Sequence, residues 1–227
     1  MSRKTSLIGD LISHEIGGGW GEEFQSSDFE IAAYVIRGTD IPRALEGDVS
    51  TPPLRYHKAS TIGGRILRKD DVVFEVSGGS KGQPVGRALL IHDRVLDRFG
   101  EKVICASFCK LVRFDHEKCN PRYLFRCLQQ AYRSGSLDAF QVQSTGITNF
   151  RWKPFLQSFE VELPSLPEQE QIARVLDLLD ESIDNSRQKI AQLARTRELL
   201  LPGLLAGQID ASKLLSTVPT GSDECQC

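Results

Sequence analysis

The sequence predicts an α+β fold, in which a twisted β-rich head is followed by one long coiled-coil helix. Short runs of β-branched and aromatic residues, broken by glycine and proline, fill residues 7–161 and are typical of a sheet. A capping box at residues 165–168 then marks the start of a helix. Behind it, apolar residues recur at alternating steps of four and three, which is the spacing of a coiled-coil seam.

Within the head, the runs with the highest β-propensity predict strands, and two other stretches predict helices. One helix is expected over residues 6–13 and another over residues 121–134, where Asn120 is a suitable N-cap and Pro121 suits the first turn. The strands are expected at residues 33–36, 72–76, 87–91 and 106–112.

The long helix is predicted over residues 166–201, ending where Pro202 and Gly203 interrupt it. At 1.5 Å per residue it would extend ~54 Å, too far to bury its apolar stripe against a compact head. We therefore expect a partner helix, and another chain is favoured as its source. The expected partner face consists of Ile172, Leu176, Leu179, Ile183, Ile190, Leu193 and Leu200.

These patterns divide the chain into a head at 1–163, a spacer helix at 164–210 and a polar tail at 211–227 that is expected to be disordered. The formal net charge of −2 is unevenly divided. The head holds 22 Lys and Arg against 20 Asp and Glu, whereas the remainder holds 6 against 10. This excess of base is too small to assign a nucleic-acid partner by itself.

Membrane and metal sites are not expected. The sequence contains neither an apolar run of about 18 residues nor a signal core, which predicts a cytoplasmic protein with reduced cysteines. A metal site could use Cys105, Cys109, His116 and Cys119. Because the spacing lacks paired C-x2-C knuckles, we expect buried core thiols and no metal.

Catalytic motifs are incomplete. The proline pair at residues 51–54 lacks the polar first and aromatic last residues of a base-holding methyltransferase loop. Asp71, Glu75 and Ser77 place a serine where a metal-dependent nuclease needs a lysine. The glycine-rich stretch at residues 78–82 does not match a nucleotide-binding loop. We expect a non-catalytic chain without its own cofactor.

Three short segments could contact DNA, although each also has a purely structural interpretation. Residues 55–58 combine two cations and two rings in an expected exposed loop, which suits phosphate contact and base stacking or is a solvated loop. Residues 78–83 could bring Ser80, Lys81 and Gln83 to DNA, or form a turn. The third segment, residues 17–20, is otherwise a flexible loop pinned by a buried Trp20.

The junction between head and helix resembles a known family. Residues 155–176, FLQSFEVELPSLPEQEQIARVL, are similar to the conserved strand-to-helix junction in the DNA specificity subunit of type I restriction-modification systems. Weaker similarities extend over roughly residues 5–210. They lie at residues 8–10, 37–41, 69–74, 86–88, 144–149 and 199–209. The junction positions that match are Leu163, Pro164, Leu166, Glu168, Gln169 and Ile172.

The resemblance implies a target-recognition domain that reads one half of a bipartite DNA site. In the family, the spacer helix packs against a second helix and against methyltransferase subunits, which bring the S-adenosylmethionine chemistry, and a restriction or translocase subunit can join. The expected DNA contacts are Arg55, Tyr56, Lys58, Arg65, Ser80, Lys81, Gln83, Thr145, Thr148, Asn149 and Arg151.

This sequence departs from the family in carrying one recognition domain and one helix where two of each are usual. A homodimer with antiparallel helices would complete the architecture and read two inverted half-sites. Pairing with a different specificity half, or truncation, would also explain the departure. A different class of function, a protein-interaction adaptor with a coiled-coil stalk, is compatible with the nearly neutral head.

Overall fold

The computed structural model describes residues 4–78, 83–100, 102–144 and 146–215, the side chains of residues 94 and 215 excepted. These residues fall into two compact units that divide between Asp177 and Leu178. The strands are β1 (Lys4–Leu7), β2 (Ile12–Gly17), β3 (Ile31–Ile36), β4 (Leu54–His57), β5 (Val72–Glu75), β6 (Ser77–Gly78), β7 (Ala88–Leu90), β8 (Lys102–Cys105), β9 (Cys109–Phe114), β10 (Gln141–Ser144), β11 (Ile147–Phe150) and β12 (Glu160–Leu163). The α-helices are α1 (Ile41–Leu45), α2 (Ala59–Ile62), α3 (Asp93–Phe99), α4 (Pro121–Arg133), α5 (Trp152–Ser158), α6 (Leu166–Leu205) and α7 (Ala211–Leu215).

Four small sheets make up the first unit. The central one is antiparallel, in the order β2-β9-β5-β7. Strand β3 pairs antiparallel with β4 and parallel with β8, whereas β11 lies between β10 and β6. Strands β1 and β12 pair antiparallel, with Lys4 opposite Leu163 and Leu7 opposite Glu160.

Strand β5 is buried along its whole length because both faces of the central sheet are covered. Phe74 faces the larger core, and the neighbouring Val73 faces a second one. Around Phe74 lies an aromatic cluster, with ring centroids 5.0 Å from Phe150 and 5.7 Å from Phe155. Side chains of α4 and α5 complete this core.

The predicted fold class is confirmed, and so is helix α4 with its N-cap. The Asn120 side chain accepts hydrogen bonds from the backbone N–H groups of Arg122 and Tyr123. The helix predicted at residues 6–13 is wrong, since β1, a 3-10 turn at Ile8–Leu11 and the start of β2 occupy this stretch. Pairing with β12 and β9 overrides the local helical preference.

The three cysteines considered as metal ligands are buried thiols, as predicted. Cys105 and Cys109 lie in the second core, whereas Cys119 lies in the larger one and His116 is exposed. Burial raises the pKa of Cys105 and of Cys119 to about 12, which keeps both protonated. These positions do not converge as a ligand set.

Helix α6 begins at Leu166, as predicted, but the predicted end at Pro202 is wrong. A proline inside a helix removes one backbone donor, and the helix continues because the Ala206 N–H still donates to the Pro202 carbonyl. It ends before Gly207, whose φ of +67° suits the left-handed cap. Of the predicted tail, residues 211–215 form α7, and residues 216–227 lie outside the described residues. No helix in the described ranges is long and apolar enough to cross a membrane.

Candidate nucleic-acid interface

The glycine loop after β2 is fixed to the turn between β8 and β9. The N–H groups of Gly18 and Gly19 donate to the carbonyls of Cys109 and Cys105, both at 2.9 Å. A Cβ at Gly18 would lie 2.1 Å from the Ala106 carbonyl oxygen, so only glycine fits there. Trp20 follows and is 40% exposed, so the buried tryptophan expected here is wrong.

Residues 55–58 form strand β4 and its end instead of the expected exposed loop. The guanidinium carbon of Arg55 lies 4.7 Å from the centre of the Trp20 ring, and its Nη1 lies 3.7 Å from a Glu23 carboxylate oxygen. Lys58 lies 4.9 Å above the Phe29 ring. Both cations are therefore held against aromatic rings.

Beneath this layer, His57 is buried, and its Nε2 has no hydrogen-bond partner within the described ranges. Burial, with the charge of Arg65, lowers the pKa of His57. Gly21, with φ +68°, leaves room for the imidazole, since a Cβ there would lie 2.6 Å from Cε1. The Nε of Arg65 donates to the Gly17 carbonyl at 3.0 Å, and the backbone of Tyr56 pairs with Glu22.

A second group of predicted contacts lies on the β10-β11-β6 sheet. Thr148 pairs with Gly78, and Asn149 with Ser77, whose hydroxyl donates to Asn149 Oδ1 at 2.8 Å. Asn149, Arg151 and Gln83 are exposed, whereas Thr148 is partly buried. Ser80, Lys81 and Thr145 lie outside the described residues.

Of the predicted DNA contacts within the described ranges, Gln83 lines a cavity of about 460 Å³ and the others do not. Trp20 reaches it from the Arg55 side, and Ser77 and Gln83 reach it from the β11 side. Lys58, Arg65 and Arg151 do not line it. Its other charged and aromatic lining residues are Arg37, Glu75, Arg87 and Phe108, none of which was among the predicted DNA contacts.

The carboxylates considered for metal-dependent cleavage are neutralised by arginines. Asp71 is held by Arg113, with both guanidinium contacts at 2.7 Å, and Glu75 is held by Arg87 at 2.6 and 2.8 Å. Both carboxylates are buried. The arrangement stabilises strand β5 and lacks the open pair of acids that a metal ion would need.

The first turns of α6 belong to the first unit and are fixed by polar contacts. The Gln169 side chain accepts a hydrogen bond from the Asn120 N–H at 2.9 Å and donates to the Pro164 carbonyl at 2.8 Å. Asp177 pairs with Arg122 at 3.1 Å and with Arg126 at 2.7 Å. The helix therefore leaves the head from a fixed starting segment.

Beyond Asp177 the seam is uncovered. Leu179 is 55% exposed, Ile183 48%, Ile190 65% and Leu193 61%. The first seam residues, Ile172 and Leu176, are partly buried within the first unit, and Leu200 is partly buried in the second. The stripe is also wider than the seam, because further exposed side chains flank it. These are Val175, Leu178, Leu199, Leu201 and Leu205.

The head combines polar loops around a cavity with mixed sheets and helices, and an uncovered apolar stripe follows on α6. Residues 57–195 match the family model described as the type I restriction modification DNA specificity domain. The match covers more than half of the chain. The chain belongs to this family.

Solved structures share the fold. The S subunit of a type I restriction-modification system from M. genitalium is 16% identical, with a TM-score of 0.59 over 90% of this chain and 46% of that one. The HsdS subunit from Thermoanaerobacter tengcongensis is 17% identical, with a TM-score of 0.53 over 90% and 49%. A chain from a structural study of type I R-M complex assembly is 17% identical, with a TM-score of 0.55 over 92% and 50%. This chain spans about half the length of each.

Proposed function

We propose that this chain is the sequence-specific DNA-recognition subunit of a type I restriction-modification complex. Its head reads one half of a bipartite site, and its helix docks methyltransferase subunits. The chain is non-catalytic, and the methyltransferase partners supply S-adenosylmethionine chemistry. The observation that carries the proposal is the family match, which runs from β4 through the cavity region into the uncovered part of α6.

On the head, the DNA surface consists of the two groups of predicted contacts, one around β4 and one around β11. Arg151 is exposed and suits a phosphate contact, whereas Asn149 and Gln83 carry exposed amides that suit base edges. Arg55 and Lys58 lie on aromatic rings, which limits the side-chain entropy lost when they bind a phosphate. Ser80, Lys81 and Thr145 remain part of the proposal.

On the helix, the width of the stripe supports more than one covering surface. A two-stranded coiled coil buries a narrow seam, yet Leu178, Leu199 and Leu201 add apolar surface beside it. A second copy of this chain, paired antiparallel, would cover the seam, and a methyltransferase subunit would cover its flank. Two copies would read identical half-sites in inverted orientation.

The first test expresses the chain with its methyltransferase partner and maps the methylated adenines. A bipartite inverted repeat is the expected result. An asymmetric motif would replace the homodimer by a pair of different halves. No methylation from an assembled complex would contradict the proposal and favour a protein-interaction adaptor.

The second test distinguishes phosphate contacts, which position the DNA, from base contacts, which read its sequence, in the assembled complex. Arg151→Ala should lower affinity for all sequences and reduce the slope of log affinity against log salt by about 0.9, since one phosphate contact is lost. Asn149→Ala should reduce the discrimination against the wrong base at a single position by ~1–3 kcal/mol. Arg133→Ala, an exposed cation outside the predicted set, is the control. Unchanged affinity, slope and specificity in both variants would remove the β11 side from the interface.

A further inference from the structure

The cavity beside β5 has features that DNA backbone contact does not use. We propose that it binds a single nucleobase. Its volume of about 460 Å³ lies within the usual range of small-ligand pockets. The proposal adds a binding site to the proposed function, and the pocket chemistry can be tested without it.

The rim of the cavity presents aromatic rings on a fixed backbone. Phe108 is 50% exposed, although its carbonyl accepts hydrogen bonds from the N–H groups of Val76 at 2.9 Å and Ser77 at 3.2 Å. Trp20, held by the glycine loop, is the second exposed ring. Exposed rings on a rigid backbone are suited to stacking with the flat face of a base.

The polar lining selects a neutral ligand. Arg87 is paired with Glu75 at 2.6 Å, and Arg37 with Asp40 at 2.8 Å, so neither arginine offers an uncompensated charge to a phosphate. A carboxylate and a guanidinium side by side provide one acceptor and one donor. Each nucleobase presents a donor next to an acceptor on its Watson–Crick edge, so this pair can orient a base without selecting one of them.

Gly38 makes room for the Glu75 carboxylate. A Cβ there would lie 2.4 Å from Glu75 Oε1, so a larger residue would displace the carboxylate. At Gly78 a Cβ would lie at an ordinary van der Waals distance of 3.5 Å from the same oxygen, so the carboxylate requires a glycine at Gly38 but not at Gly78.

The experiment follows the indole N–H signals of the full chain by NMR. The chain has two tryptophans, Trp20 at the cavity and Trp152, whose indole N–H donates to Glu15. Trp20→Phe assigns the two signals. Deoxyadenosine, deoxycytidine, thymidine and deoxyribose 5-phosphate are titrated separately. We expect a saturable shift of the Trp20 signal with each nucleoside and none with the sugar phosphate.

Phe108→Ala should weaken the binding of deoxyadenosine about tenfold, because one stacking surface is lost. Phe24→Ala, which removes an exposed ring that does not line the cavity, should leave it unchanged. Glu75→Gln should also weaken the binding of deoxyadenosine, because the amide has one acceptor oxygen fewer, and an unchanged Trp152 signal would show that the variant is folded. The proposal is overturned if no nucleoside shifts the Trp20 signal, if the sugar phosphate shifts it equally, or if Phe108→Ala binds as tightly as the parent.

Two duplexes then identify the source of the base. One carries a single unpaired adenine, and the other has the same sequence fully paired. Tighter binding of the first, lost in Phe108→Ala, assigns the pocket to a base extruded from DNA. Equal binding of both, with nucleosides still bound, assigns it to a free nucleoside or nucleotide. Binding of nucleosides without either duplex would contradict the proposed DNA recognition and leave the pocket standing.

Discussion

The head and the part of α6 beyond Asp177 differ in how their charged and apolar side chains are placed. In the head, buried charges such as Asp71, Glu75 and Asp40 are each held by an arginine. In the helix, large apolar side chains from Leu178 to Leu205 remain exposed. Paired buried charges stabilise the head internally, whereas an exposed apolar stripe of this size is typical of a surface that a partner covers. The two regions therefore differ in what a substitution should change.

The largest effect on the head should come from a buried ion pair. Asp71→Ala leaves the Arg113 guanidinium and the Arg68 N–H without their acceptor, which should lower the free energy of unfolding by ~3–5 kcal/mol. Urea unfolding followed by tryptophan fluorescence measures it, since both tryptophans lie in this unit.

The matched control is Asp93→Ala, which removes an acid from the exposed pair with Lys69. Exposed pairs contribute about 1 kcal/mol or less. If the two variants unfold at the same urea concentration, the head does not depend on its buried pairs and the contrast with the helix fails.

An intermediate effect is expected where the head meets the helix. Gln169→Ala leaves the Asn120 N–H and the Pro164 carbonyl without their side-chain partner, which should cost ~1–3 kcal/mol. Gln171→Ala, an exposed glutamine on the same turn, should change the unfolding free energy by less than about 0.5 kcal/mol. Equal values for the two glutamines would show that the start of α6 is not fixed by this amide.

The smallest effect on the stability of the head should come from substitutions in the apolar stripe of α6. Ile183→Asp with Ile190→Asp should leave the unfolding of the head within about 0.5 kcal/mol of the parent, because both side chains are exposed. Self-association, measured by analytical ultracentrifugation, should be lost. The control, Ser182→Asp with Gln188→Asp, adds the same charge off the seam and should still associate. A double seam variant that remains a dimer would contradict the proposed helix pairing.

Local features were predictable from the sequence. The Asn120 cap and the start of α6 at Leu166 depend on neighbours within one helical turn, so residue type and spacing are sufficient. The end of α6 was predicted wrongly because the effect of Pro202 depends on the bonds around it, and the helix tolerated the loss of one donor.

Long-range features were not predictable. Residues 6–13 form strand and turn because they pair with β12 and β9. These strands lie more than 90 residues away in the sequence, so the local pattern could not indicate the pairing. The cavity draws Trp20, Arg37, Glu75 and Phe108 from separate segments, and no local pattern indicates that these residues meet. Arg87 falls within a weak match to the family, but its pairing with Glu75 depends on the register of β5 and β7.

The pairing of β1 with β12 places the first and last strands of the head side by side. Because Lys4 lies opposite Leu163, the chain enters and leaves the recognition domain at neighbouring points. A domain with adjacent ends can be transplanted between two flanking segments without stretching either one. We therefore expect the head to be exchangeable as a domain. Replacing residues 4–163 by another head should change the DNA target while the same spacer helix is retained.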